Sequence, residues 1–453
     1  MFTDNNSETQ PGYLSSFRFE DYAMTANDIF QLGGTHAAGL ATSGQTLQDP
    51  RYVEPGSYTI AVLGDTQNSS QSHPNIFDMQ TQWLVDNKCS QNIQFVLHVG
   101  DVVNIDNTSQ WDVAATSMNT LDGELNYAIA PGNHDCSSNR ALTQFNQTDR
   151  FGPSSAYGGQ STLSGYYPAE PNSRTNTYHT FQANGQDFLV LALEFGPRDD
   201  VVNWAESIAD SLPNHRAILL THAYMYDGGQ WFDDTVDPND LQGRTFDQIR
   251  DSEVNHTESI YNPRRYSWAS DGNDGKDLWD KLVKERENLS LVITGHQFDE
   301  LDGYPYLLTQ NNEGKDVYQV LVNQQNRTNG GDGWIRLLEF SPDGETVTVK
   351  SYSPYLEEWS YASDEFFTIQ LAPIMEPLPG DFDEDGDVDG EDFLLWQRGG
   401  APNQQSSEDF VAWKSNYGTA ASQISTIPEA SSLFLLTSSA FILGFWSRPR
   451  RSI

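Results

Sequence analysis

Five short apolar runs each end on a residue that can bind a metal or move a proton, and this register constrains the fold more than any other feature. Tyr58–Leu63 leads into Gly64-Asp65, and Phe95–Val99 into Gly100-Asp101. Asn126–Ala130 leads into Pro131-Gly132-Asn133-His134-Asp135, Ala217–Thr221 into His222, and Leu289–Thr294 into Gly295-His296. Between the first two runs, Phe77, Gln80, Trp83 and Leu84 recur near helical spacing. Short buried strands alternating with helical segments predict an α/β fold with a sheet covered on both faces. In such sheets the carboxyl ends of the strands form the rim where ligands bind. Glycine before the polar residue lets the chain turn sharply and lets a ligand approach the backbone.

The donor set is Asp, Asp, Asn, His and His. Carboxylate, amide and neutral imidazole together suit a divalent metal. One carboxylate can bridge two ions about 4 Å apart, which clamp phosphoryl oxygens and activate a water. Any one Gly-Asp or Thr-His pair is ordinarily a loop residue or a helix cap. Five in register, each after a buried run, point to a metal site.

The series Gly64-Asp65, Gly100-Asp101-Val102-Val103-Asn104, Gly132-Asn133-His134-Asp135, Thr221-His222 and Gly295-His296 resembles the calcineurin-like metallophosphoesterases over about residues 55–370. The resemblance implies a double β-sheet sandwich flanked by helices. It implies hydrolysis of a phosphate mono- or diester, in a small molecule or a polymer, by metal-activated water. The expected cofactors are one or two divalent ions: manganese, iron, magnesium or zinc. Asp101 would bridge them, Asn133, His222 and His296 would complete one, and Asp65 with Gln67 would serve the other. His134 and Asp101 are the expected catalytic residues, with His134 protonating the leaving group. Asn104 would orient His134, and Asp135 would support the ligands from behind.

Two positions depart from the family pattern. Its usual Asp-x-His reads Asp65-Thr66-Gln67, and its usual Gly-His-x-His reads Gly295-His296-Gln297-Phe298. One metal thereby loses both imidazoles, unless Asp299 or Asp302 compensates. The rival reading is a surface binding or scaffold protein with a degenerate core. Gln67 and Phe298 favour it; the retained Asp65, Asp101, Asn133, His134, His222 and His296 oppose it. The other histidines read more simply: His98 as buried mid-strand structure, His215 as surface, and His73 and His179 as structure before substrate contact.

After Gly295 the pattern becomes strand after strand: Val317–Val322, Trp334–Phe340, Thr346–Tyr352 and Phe366–Leu371. Ser341-Pro342-Asp343-Gly344 marks a turn. A long polar insertion between His222 and Asp277 follows a candidate ligand directly, so it is placed to roof the site.

The 453 residues carry a net charge of -39, which excludes a basic nucleic-acid-binding role. The two cysteines, Cys89 and Cys136, make neither a disulfide framework nor a cysteine zinc site. Residues 1–51 are polar, without the apolar core of a secretory signal. The phosphoesterase region spans 52–372, followed by a Pro-rich linker at 373–380.

Residues 381–418 then begin with a twelve-residue calcium loop. The side chains of Asp381, Asp383, Asp385, Asp389 and Asp392 and the carbonyl of Asp387 are the expected ligands, and Gly386 makes the turn. Phe393–Trp396 and Phe410–Trp413 repeat one helix face. This stretch resembles an EF-hand-like type I dockerin repeat, which implies calcium and a cohesin-like or other surface partner. Residues 427–453 hold Pro428-Glu429-Ala430, the apolar run Leu433–Trp446, and Arg448, Arg450 and Arg451. They resemble a PEP-CTERM sorting tail, implying an exported bacterial protein anchored in the membrane by a C-terminal transmembrane helix.

Overall fold

The computed structural model describes residues 49–136, 139–140, 142–226, 229–234, 261–298, 306–374, 379–383, 387–403 and 405–419. The chain divides into two compact units, one ending at Ile374 and the other starting at Met375.

In chain order the first unit contains strands β1 (Tyr58–Leu63), β2 (Ile93–His98), β3 (Tyr127–Ile129), β4 (Leu163–Tyr166), β5 (Thr177–Ala183), β6 (Gln186–Ala192) and β7 (Arg216–Leu220). A small hairpin of β8 (Met225–Tyr226) and β9 (Gln230–Trp231) follows. Then come β10 (Leu289–Thr294), β11 (Leu307–Gln310), β12 (Asp316–Leu321), β13 (Ile335–Phe340), β14 (Thr346–Ser353), β15 (Glu358–Trp359) and β16 (Phe367–Gln370). They build two mixed sheets. One runs β15-β14-β13-β1-β2-β3, with β16 also on β14; the other runs β11-β12-β10-β7-β6-β5-β4.

The two sheets agree with the double sandwich that the family resemblance implies, whereas the apolar runs alone suggest a single sheet covered on both faces. The ligand-bearing strands are divided: β1, β2 and β3 lie parallel in the first sheet, and β7 and β10 lie parallel in the second. Each strand is still buried on both sides, because one face meets the other sheet and the opposite face meets helices. Ile60, Val62, Phe95 and Leu97 share a core with Val190, Ile218, Ile293 and Leu338 between the sheets. The alternate residues Ala61, Leu63 and Val96 pack outward with Phe77, Leu84 and Trp111. Phe77 and Leu84 belong to α2 (Pro74–Asp86), which follows the short α1 (Gln67–Ser72); Trp111 belongs to α3 (Thr108–Met118). On the far side Leu189, Leu191 and Leu219 meet Val201, Val202 and Ala205 of α4 (Asp199–Ser211). The period of two along each strand thus feeds two cores at once, which is why the runs read as continuously apolar.

The second unit contains helices α5 (Gly390–Gln397) and α6 (Ser407–Asn416). Phe393 and Trp396 of α5 contact Phe410, and Phe393 stacks on Trp413 at 4.7 Å. Among the described residues no helix is long and apolar enough to cross a membrane; the run Leu433–Trp446 lies outside them.

Candidate metal centre and active site

The strand ends of both sheets meet at one rim, where Asp101, His222 and His296 bring their ligand atoms within 4.8 Å of one another. Asp101 sits just past β2 with φ +45, a left-handed conformation that Asp tolerates better than most residues. Its Oδ1 accepts the His134 amide at 2.9 Å, and its Oδ2 lies 3.2 Å from His222 Nε2. Gly132 makes this possible: a Cβ there would stand 2.1 Å from Asp101 Oδ1.

The two imidazoles are oriented by carbonyl oxygens, which only accept hydrogen bonds. His222 Nδ1 donates to the Val99 carbonyl at 2.8 Å, leaving Nε2 for a ligand. His296 Nε2 donates to the Tyr261 carbonyl at 2.9 Å, leaving Nδ1. Asn133 Oδ1 is buried with no hydrogen-bond partner among the described residues. A carboxylate, two oriented imidazoles and an unpaired amide oxygen fit a divalent metal ion.

Charge at this place is strongly coupled. Burial alone would lower the His222 pKa, but the charges of Asp101 and Asp65 outweigh it and push it up to about 9. Burial would raise Asp101, but His222 outweighs that by charge and hydrogen bond and brings it down to about 2. His296 is held at about 3 by burial and by the neighbouring His222. The pocket therefore favours one positive charge against Asp101, whether a proton or a cation.

Around Asp65 the arrangement differs. Asp65 is buried, and its Oδ1 faces Gly295, where a Cβ would lie only 2.3 Å away. Its two oxygens accept the His296 amide at 3.4 and 3.2 Å. Oδ2 also accepts Asn323 Nδ2 at 2.8 Å and Gln325 Nε2 at 3.2 Å. Gln67, at the start of α1, turns its Nε2 to Gln325 Oε1, while its Oε1 is buried without a hydrogen-bond partner among the described residues. Burial, reinforced by the Asp101 charge and opposed by His222, pushes the Asp65 carboxyl well above its usual range. Phe298 is exposed and offers no ligand; Asp299 and Asp302 lie outside the described residues.

Asn323 and Gln325 went unnoticed in the sequence. They follow β12, which is parallel to β10 and delivers its end to the same rim. The signal was present: Val317–Val322 is another apolar run, and Asn323-Gln324-Gln325 is its polar end.

His134 Nδ1 donates to the backbone carbonyl of Asn104 at 2.8 Å. The Asn104 side chain turns away, donating to Gln71 Oε1 at 2.9 Å. The orienting role expected of the Asn104 side chain therefore falls to its main chain. Asp135 is fully buried and accepts the Val103 and Gly132 amides at 3.1 and 2.8 Å, tying two ligand loops together. Burial and the Asp101 charge push its carboxyl up to about 8.

His98 is the last residue of β2, not mid-strand. Its Nδ1 accepts the Gly100 amide at 3.1 Å, and its Nε2 contacts Thr66 Oγ1 at 3.0 Å, bracing the Asp65 and Asp101 loops. His179 is buried in the β5–β6 hairpin against Phe95 and Tyr157; His73 and His215 are half-buried. Both cysteines are free, and Cys136 Sγ lies 3.5 Å from the Gly132 carbonyl.

The described flanks of the long insertion, with Phe195, wall the histidine side. Phe195, Phe232, Tyr261 and Tyr266 set their rings 5.6, 5.9, 5.9 and 6.4 Å from that of His296. The insertion's middle, 235–260, lies outside the described residues.

In the second unit, Asp381, Asp383 and Asp392 form one carboxylate group within 4.8 Å, and Asp387, Asp389 and Asp392 form another; Asp385 lies outside the described residues. Buried Asp392, third residue of α5, accepts the Asp389 amide at 2.7 Å and the Asp383 amide at 3.2 Å. Asp409 holds the same place in α6 and accepts Asn403 N and Nδ2, both at 2.9 Å.

The two sheets thus bring Asp101, His222 and His296 to one shared rim. The chain belongs to the calcineurin-like phosphoesterase family, whose model matches residues 58–300, more than half of the sequence. It is similar to the uncharacterized protein YvnB of Bacillus subtilis (strain 168), with 28% identity over 350 residues. That match covers 72% of this chain and 23% of YvnB, so the chain spans under a quarter of the relative's length. Among solved structures it is similar to the purple acid phosphatase PPD1 of yellow lupin (Lupinus luteus) seeds: 14% identity, TM-score 0.38, 71% of this chain and 55% of that one. It is also similar to GAP50, the anchor in the inner membrane complex of Plasmodium: 13% identity, TM-score 0.36, 70% of this chain and 88% of that one.

Proposed function

We propose that this protein hydrolyses a phosphate mono- or diester at the Asp101 side of the rim. The observation that carries the reading is the convergence of Asp101, His222 and His296 within 4.8 Å, with His134 tied to Asp101 through its amide. Asp101, Asn133, His222 and His296 would hold the divalent ion. When bound, that ion supplies Lewis-acid polarisation of the phosphate and a more acidic water. The chain's own groups do the rest. The Asn104 carbonyl keeps a hydrogen on His134 Nδ1 and leaves Nε2 to the substrate; in the imidazolium form the Nε2 hydrogen would pass to the leaving oxygen, leaving a neutral ring protonated at Nδ1. The aromatic wall shields the histidine side from bulk water. Turnover of bis(p-nitrophenyl) phosphate and p-nitrophenyl phosphate with added manganese tests the reading. His134→Ala is expected to lose about 10²–10⁴ in kcat; equal rates in the two proteins would sink the proposed role.

We also propose that the second unit binds calcium through the loop that starts at Asp381. The two carboxylate groups that share Asp392 support this. A calcium-dependent rise in its unfolding temperature, lost in Asp392→Ala, is the expected result. Export and anchoring through residues 427–453 are proposed from the sequence pattern, and a reporter fusion carrying that tail tests them by fractionation.

A further inference from the structure

We infer that the Asp65 half of the rim takes no second metal ion, because the side-chain amides of Asn323 and Gln325 stand where that ion would be bound. This rests on the metal-centre reading of the Asp101 half. The amide orientations follow from the hydrogen bonds around them. Asn323 Oδ1 accepts the Gln325 backbone N–H at 3.0 Å, so its Nδ2 is the atom turned to Asp65 at 2.8 Å. Gln325 Oε1 accepts Gln67 Nε2, so its own Nε2 faces Asp65 Oδ2 at 3.2 Å. Reversing Gln325 would set nitrogen against nitrogen at Gln67 and oxygen against oxygen at Asp65.

Two N–H groups therefore point their positive ends at the oxygen a cation would need. The other oxygen faces Gly295 and the His296 amide. Of the expected ligands on this side, Gln67 Oε1 is the one buried atom with no hydrogen-bond partner among the described residues. The position of the second imidazole is Phe298, which is exposed. Among the described residues, one neutral oxygen and a shared Asp101 oxygen, beside a carboxylate already served by amides, fall short of the four ligands that zinc-like ions take. They fall further short of the six oxygens that magnesium prefers. In this reading the amides satisfy the Asp65 oxygen by hydrogen bonds in place of a metal, and Asp65 becomes a positioning residue that holds the His296 amide and so the His296 ring.

The test is electron paramagnetic resonance of the full chain loaded with manganese, with excess calcium present to occupy the second unit. The expected spectrum is that of an isolated manganese ion, at one per chain, lost in Asp101→Ala. An exchange-coupled manganese pair in the wild type would overturn the inference. The double variant Asn323→Asp with Gln325→Glu replaces the donors by ligands and is expected to gain the coupled signal. If it folds, keeps the first ion and stays uncoupled, the amides are not what excludes the second ion, and the inference also falls. If it does not fold, the wild-type spectrum decides alone. A single-ion spectrum without turnover would sink the hydrolase reading and leave this one; a coupled pair with turnover would do the reverse.

Discussion

The two halves of the rim start from the same element, a glycine and an aspartate after a buried strand, and arrive at opposite chemistry. Asp101 faces two imidazoles whose far nitrogens are held by the Val99 and Tyr261 carbonyls. Asp65 faces the amides of Asn323 and Gln325. A carboxylate opposite oriented nitrogen acceptors has room for a cation. A carboxylate opposite N–H donors is already satisfied. The difference lies in what the neighbouring strands deliver, not in the aspartates.

The largest expected effect comes from Asp101→Ala. It removes the carboxylate ligand and strands the buried His222, so metal binding in the first unit by titration calorimetry should vanish. The metal-free protein should lose about 3–5 kcal/mol, the usual consequence of breaking a buried ion pair. Asp65→Asn keeps one accepting oxygen for the Asn323, Gln325 and His296 donors and should leave the manganese content at one per chain; loss of the ion would erase the contrast between the halves.

Next in size is a pH effect confined to the Asp101 half. His222 binds its proton up to about pH 9 in the metal-free protein, above its ordinary 6.5. A metal must displace that proton, so affinity should rise with pH until about 9 and then level off. The sign for stability is the reverse. A raised histidine pKa stabilises the metal-free fold below 6.5, and that contribution is lost as pH rises through about 9. Titration calorimetry in buffers of different ionisation enthalpy should count the released proton; none released at pH 7 would contradict the coupling.

The smallest expected effect is at Asn104. Since its carbonyl holds His134, Asn104→Ala should change kcat by no more than about threefold, far below the 10²–10⁴ of a lost proton donor. A loss on that larger scale would mean that the side chain matters after all.

The legible part of this site was the part carried by side-chain identity at strand ends. Asp65, Asp101, Asn133, His134, His222 and His296 could be picked out because each follows a buried run. Three things escape a reading of side-chain identity alone. Burial looks the same whether a strand meets helices or a second sheet, so the runs alone do not show which sheet each of β1–β3, β7 and β10 joins, although the resemblance implies two. The Asn104, Val99 and Tyr261 carbonyls orient three histidines, and a main-chain carbonyl leaves no mark on the residue that carries it. Asn323 and Gln325 look like loop residues until β12 is seen to run parallel to β10.

The asymmetry is tested most directly by anomalous scattering from crystals grown with manganese and phosphate. One peak is expected in the first unit, within bonding distance of Asp101, Asn133, His222 and His296, with His134 Nε2 against a phosphate oxygen. A second peak of comparable height on Asp65 and Gln67, or no peak at Asp101, would contradict the account.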